Sequence, residues 1–194
     1  MTDVLVVGGG PAGLSAALFT AKNGLDTVVF DTDGTWMHKA HLFNYPGIGS
    51  VDGTVYLDTL RDQVDDFGVE RRSEEVTAVE STDDGLVVST ADEAHSADYV
   101  VLATGANRDL AEDLGCAFTD EDVVDVDVTM ETSVENVYAT GAMGRVEEWQ
   151  AVISAGDGAA AALNILSKEK GENFHDFDTP ATADEVMGSL VDEA

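Results

Sequence analysis

An apolar strand, Val4-Leu5-Val6-Val7, runs directly into Gly8-Gly9-Gly10-Pro11-Ala12-Gly13. Few residue types survive that sequence of turns. Gly8 permits the tight turn out of the strand, Gly10 lets main chain approach a pyrophosphate, and Gly13 lets the next helix pack close to the strand. The spacing predicts a helix from about Pro11 to Asn23, closed by Gly24, and a second strand Thr27–Phe30 that ends on Asp31. The free amides and positive dipole end of that helix then face a phosphate group. Asp31 lies 21 residues beyond Gly10, where a carboxylate accepts hydrogen bonds from ribose hydroxyls and repels a 2′-phosphate. FAD or NAD fits that acid better than NADP does.

Composition narrows the setting of this cradle. At 194 residues the chain is most simply one domain with a substantial core. It carries 39 acids against 9 lysines and arginines, a net charge of −30, yet its apolar segments are too regular for disorder. Nucleic acid and anionic membranes are disfavoured as partners, because no basic patch is available to neutralise phosphates. A surface this acidic suits a salt-rich interior, so a halophilic source is expected. The single cysteine, Cys116, excludes an internal disulfide and a CxxC pair. With no signal-like leader and no apolar run of membrane-spanning length, the expected location is the cytoplasm.

Further along, residues 33–47 form a loop rich in functional side chains, followed by a helix at Val55–Phe67 that stops at Gly68. Segments 75–80 and 86–90 alternate around Asp83-Asp84-Gly85 and read as a hairpin. Tyr99–Ala103 is continuously apolar, as in a strand buried on both faces, and ends in Thr104-Gly105. A short strand is expected around Val123–Val128 and another at residues 135–139 before Thr140-Gly141. The last clear helix runs from Gln150 or Ala151 to about Lys170, with small residues in its first half, and a short helix is expected near Asp184–Val191.

Three features in fixed order carry a resemblance: Gly8-Gly9-Gly10-Pro11-Ala12-Gly13, then Leu102-Ala103-Thr104-Gly105, then Val137-Tyr138-Ala139-Thr140-Gly141 followed by Trp149-Gln150-Ala151. Together they resemble the FAD domain of thioredoxin reductase-like flavoproteins, within the pyridine nucleotide-disulfide oxidoreductases. The resemblance covers most of residues 1–175, with 176–194 left as an acidic tail. It implies a Rossmann-like α/β fold: a mainly parallel sheet with a small antiparallel layer. It also implies bound FAD. Gly8, Gly10, Pro11, Ala12 and Gly13 would hold the pyrophosphate, Asp31 the adenosine ribose, Val76 the adenine, and Ala103, Thr104 and Gly105 the adenosine half. Gly141 and Ala142 would lie by the ribityl chain, Gln150 and Ala151 by the flavin pyrimidine edge, and the Asn44-Tyr45-Pro46-Gly47 loop beside the flavin.

Several departures shape what is expected. Only 26 residues, Ala106–Glu131, separate Gly105 from Thr132, where the family inserts a nicotinamide-binding domain. A single βαβ unit needs about 30. The chain has no CxxC, and Ala142 stands where the family has aspartate, a loss on the order of 1 to 3 kcal/mol for a charged acceptor. The expectation is a small FAD-binding oxidoreductase, homodimeric as in the family. Its electron donor would be NAD(P)H from solution or a reduced electron-transfer protein. A non-catalytic FAD sensor or scaffold, and an NAD-binding protein without flavin, stay open. Lys39 is a candidate for cofactor or substrate contact, and His38 and His41 for proton transfer. No third ligand stands near these histidines, so no metal site is expected. Trp36 and Tyr45 suit stacking on a ring system as well as core packing. For Arg108 and Arg145, phosphate contact is conceivable and surface ion pairing is simpler. Cys116, among acids, reads as an inert small residue.

Overall fold

The structure, a computed structural model, describes residues 2–83 and 85–178. The helix expected near Asp184–Val191 lies outside them. The first strand, β1 (Thr2–Val7), buries its last four residues on both sides. Val4 and Val6 face one layer, Leu5 and Val7 the other. That two-sided burial is the reason its apolar run is continuous rather than alternating. Helix α1 (Pro11–Lys22) crosses over to β2 (Thr27–Phe30), which pairs parallel to β1.

After the 3-10 turn Trp36–Lys39, a two-stranded ribbon joins β3 (His41–Leu42) to β4 (Val51–Asp52). Helix α2 (Gly53–Asp66) follows, started by Asp52, whose carboxylate accepts the Thr54 amide at 2.9 Å. The edge strand β5 (Glu70–Arg72) pairs parallel to β2. The hairpin β6 (Ala78–Thr82) and β7 (Gly85–Ser89) leads into β8 (Ala94–Leu102). A short helix α3 (Asp109–Asp113) precedes β9 (Val137–Ala139), the 3-10 turn Gly141–Gly144 and the long α4 (Ala151–Lys170).

Among the described residues the main sheet has the order β5-β2-β1-β8-β7-β6, with β9 also on β8. β8 serves two partners on one edge: residues 94–97 pair antiparallel with β7, and residues 100–102 pair parallel with β9. The expected fold, a mainly parallel Rossmann-like sheet with a small antiparallel layer, is the one observed.

The two sheet faces are covered differently. On one lie α1, α2 and α4, through Leu14, Ala17, Leu57, Val64, Ala161 and Ile165. On the other, the hairpin residues Val79, Leu86 and Val88 join a layer of connecting chain containing Ala111, Cys116, Val124 and Met143. Most of the 26-residue connection expected from the sequence is thus a cover for the core. The strand expected at Val123–Val128 does not form. Its backbone pairs piecemeal, Val124 N with Met143 O at 3.0 Å and Asp125 N with Ala117 O at 2.9 Å, leaving one isolated bridge to Phe118 instead of a ladder.

Candidate functional site

The parallel strands β1, β2, β8 and β9 all point their C-terminal ends to one edge, and the turns leaving them meet there. At Gly8 the backbone takes φ +113, and a Cβ would lie 2.3 Å from the Ala103 carbonyl oxygen. Gly8 therefore lets the first turn press against Ala103-Thr104-Gly105, itself held by Ala103 N to Val7 O at 2.8 Å. A Cβ on Gly13 would sit 1.9 Å from the Gly8 oxygen, which explains its absence where α1 folds back on β1. Gly10 is different, since the nearest atom to a Cβ there is Thr35 Oγ1 at 3.6 Å. A side chain there would make ordinary contact with Thr35, so no protein clash excludes it, and glycine leaves main chain open to close approach by a ligand.

Gly10 caps α1, and among the described residues no side chain bonds the freed amides, with Pro11 supplying none of its own. Gln150 caps α4 in the same way, again with no side-chain bond to the helix amides among the described residues. Two helix N-termini thus keep donors for an anion or a partly negative group. Between them lie Ala12, Gly141 and Ser154: a Cβ on Gly141 (φ +65) would meet Ser154 Oγ at 3.2 Å and Ala12 Cβ at 3.3 Å. The residues at this edge suit an elongated dinucleotide, with a pyrophosphate over the α1 N-terminus.

Asp31 leaves β2 beside the same turn, and a Cβ on Gly9 would strike its carboxylate at 2.3 Å. One carboxylate oxygen accepts the Asp33 amide at 3.0 Å and the other lies 3.5 Å from Arg61. Arg61 is largely buried and also bonds Asp33. Sequence reasoning missed both Gly9 and Arg61. The triple glycine could have flagged the first; nothing local marks the second.

His38 is held on both ring nitrogens, Nε2 2.7 Å from Asp33 and Nδ1 3.1 Å from Thr54 Oγ1. The His38 and Arg61 contacts hold the Asp33 carboxyl below its ordinary value. His41 has one such partner, Ser50 Oγ at 2.9 Å, and its ring packs on Phe43 at 4.5 Å. Lys39 is exposed with no carboxylate within 4.0 Å among the described residues.

Asn44 donates to the Gln150 side chain at 2.6 Å, so the loop and the α4 N-terminus are brought together. Trp36 and Trp149 meet with ring centroids 5.5 Å apart, while Tyr45 packs on Tyr56. Val76 is buried in the core layer with Phe30, just before β6. The hairpin strand starts at Ala78, the partner of Ser89, rather than at residue 75, and Thr77 N donates to Ser89 O at 2.8 Å just before the ladder.

The simple ion-pair reading of the two arginines needs correction. Arg145 does pair, but with the buried Asp157 of α4, at 2.6 and 3.1 Å in a two-pronged contact. Arg108 bonds main chain: the carbonyl oxygens of Ala142 at 2.8 Å, Met143 at 3.0 Å, Ala106 at 3.2 Å and Arg145 at 3.3 Å. Cys116 is buried, and burial pushes its thiol pKa up. Among the described residues no cluster of metal-ligating side chains is present, and no helix is long and apolar enough to cross a membrane.

Comparison with known proteins agrees with this geometry. The family model described as pyridine nucleotide-disulphide oxidoreductase matches residues 2–107 and 57–156. The thioredoxin reductase of Mycolicibacterium smegmatis is 36% identical over 108 residues, 54% of this chain and 35% of the relative. That of Treponema pallidum is 36% identical over 116 residues, 55% and 36% of the two chains. This chain thus spans about a third of the length of these curated relatives. Among solved structures, a thioredoxin reductase from Gloeobacter violaceus superposes with TM-score 0.82 at 22% identity, covering 92% of this chain and 98% of that one. A ferredoxin-flavin thioredoxin reductase from Clostridium acetobutylicum gives 0.78 at 17%, covering 88% and 99%. The fold, the cradle and the matched residues make this chain a member of the pyridine nucleotide-disulphide oxidoreductase family, with a thioredoxin reductase-like domain.

Proposed function

We propose that the chain is a small FAD-binding oxidoreductase built on one thioredoxin reductase-like FAD domain, residues 1–175. The observation that supports this best is the pairing, across Ala12 and Gly141 on one sheet edge, of two helix N-termini that carry no side-chain cap among the described residues. Gly8, Gly10, Pro11, Ala12 and Gly13 would take the pyrophosphate, and Asp31, buttressed by Arg61, the ribose hydroxyls. Ala103, Thr104 and Gly105 would flank the adenosine half and Val76 the adenine. Gly141 and Ala142 would flank the ribityl chain, and Asn44, Gln150 and Ala151 the flavin. FAD, when bound, supplies a ring that accepts and releases hydride or electrons. The α4 N-terminus would stabilise negative charge on the adjoining ring edge. Lys39, on the turn before β3, adds a cation with no carboxylate within 4.0 Å among the described residues, and Asn44 follows that strand. His41, whose Nδ1 has no hydrogen-bond partner among the described residues, is the candidate for proton transfer, whereas His38 is held by Asp33 and Thr54.

With one buried cysteine the chain has no dithiol of its own to oxidise. Electrons would arrive from NAD(P)H in solution or a reduced electron-transfer protein, to a homodimer working in a salt-rich cytoplasm. Protein purified in high salt is expected to be yellow and to release FAD on denaturation. It should then bleach anaerobically with one such donor. A colourless protein that cannot be reconstituted with FAD would overturn the proposal.

A further inference from the structure

We infer that Arg108 is a positioning residue for the flavin end of the site, an inference that rests on the FAD reading above. The argument starts from charge. With 39 acids against 9 lysines and arginines, a cation on this chain should find a carboxylate easily. Lys22, Arg61, Arg71, Arg72, Arg145 and Lys168 all do. Arg108 sits next to Asp109 and one helical turn from Glu112, yet among the described residues no acid lies within 4.0 Å of its guanidinium.

Its donors go instead to four main-chain carbonyls, at Ala106, Ala142, Met143 and Arg145. Three of those belong to the 3-10 turn Gly141–Gly144 and its C-cap, a segment with no side-chain cap. The planar fork of arginine can serve several acceptors at once; an ammonium cannot hold that geometry. The same turn is tied from its other side, where Arg145 reaches back to Asp157 on α4. Arg108 therefore fixes the turn between the end of β9 and the α4 N-terminus. It sets where Gly141 and Ala142 stand relative to Ala12 before any ligand arrives. Its pull is on backbone position, so it touches no reacting atom.

The test compares two ligands on the same protein. ADP engages only the glycine cradle and the Asp31 corner, whereas FAD engages the 141–145 turn as well. Binding of each is measured by titration of flavin-free protein in high salt for wild type, Arg108→Met, Arg108→Lys and Arg108→Ala. All three substitutions are expected to weaken FAD about 10- to 100-fold, the range for removing hydrogen bonds from a charged donor. ADP affinity should stay within about twofold, because the cradle is held by its own glycines. Guanidinium added to Arg108→Ala should restore FAD binding, while chloride salt of equal ionic strength should not. Variants that keep the wild-type ratio of FAD to ADP affinity overturn the inference. So does a parallel loss of both ligands together with a lowered unfolding midpoint, which marks a general structural role. Wild type that binds ADP but not FAD overturns the FAD reading itself, and this inference with it.

Discussion

At the residue scale, the site separates into positions whose chemistry is written locally and positions whose partners come from far along the chain. Gly8 is of the first kind. A backbone at φ +113, pressed to within 2.3 Å of a carbonyl where a Cβ would stand, admits one residue type, so the sequence announces it. Gly8→Ala should cost about 1–3 kcal/mol from the backbone overlap alone and abolish ADP and FAD binding together. Unfolding and titration measured side by side check this; a variant that binds ADP normally would contradict the cradle. Arg108 is of the second kind. Its acceptors are carbonyl oxygens up to 37 residues away, and carbonyls carry no sequence signature. Cys116 was legible as inert for a slightly wrong reason. Acidic neighbours matter less than desolvation, which raises its thiol pKa inside the core layer. A thiol reagent at neutral pH should therefore modify native protein far more slowly than urea-unfolded protein. Stoichiometric labelling of the native form within seconds would show Cys116 to be accessible.

At the element scale, the three long helices α1, α2 and α4 were legible, whereas the short α3 and the irregular cover over the second sheet face were not. The α1 and α4 boundaries follow from Pro11, Gly24 and Gly171, and the observed helices end within a residue or two of expectation. β5 was missed because Glu70-Arg71-Arg72 is an exposed edge with little apolar character, held by pairing to β2. The strand expected at Val123–Val128 fails because the acceptors of its amides belong to three different segments. Small residues in α4 invited the inference of close packing, and Gly158 bears it out: a Cβ would lie 2.0 Å from the Ala12 oxygen on α1. At Gly156, two positions earlier, a Cβ would meet no atom of the described residues within 4 Å, and the position is exposed. The two should respond oppositely to alanine. Gly156→Ala is expected to stabilise by up to about 1 kcal/mol through helix propensity. Gly158→Ala should destabilise by about 1–3 kcal/mol through overpacking. Because the α1–α4 contact holds the Gly10 and Gln150 ends in register, it should also weaken FAD. Denaturant unfolding of both variants decides the point, and destabilisation by Gly156→Ala would contradict the packing described.

At the scale of the whole molecule, the governing quantity is the net charge of −30. Like charges spread over so small a surface repel in the folded state, and salt shortens their reach from about 10 Å at 0.1 M to about 3 Å at 1 M. The unfolding midpoint at about pH 7 should therefore rise steadily with potassium chloride up to about 2 M. Acid offers a second route to the same relief, since protonating carboxylates removes negative charge. Specific pairs set the lower limit of that benefit. His38 and Arg61 depress the Asp33 carboxyl, and Arg71 depresses Asp65, each below the ordinary 3.8. A group with a lowered folded pKa contributes stability above its unfolded pKa and loses it as pH falls through the folded one. Both contributions thus persist at about pH 5 and vanish only below 3.8. In low salt the midpoint should climb from about pH 7 to about pH 5 and then drop below the carboxylate range. In concentrated salt the climb should flatten while the acid drop remains, because hydrogen-bonded pairs are screened less than spread charge. Thermal scans across both variables test this, and a midpoint indifferent to salt at neutral pH would remove charge repulsion from the account of this molecule's stability.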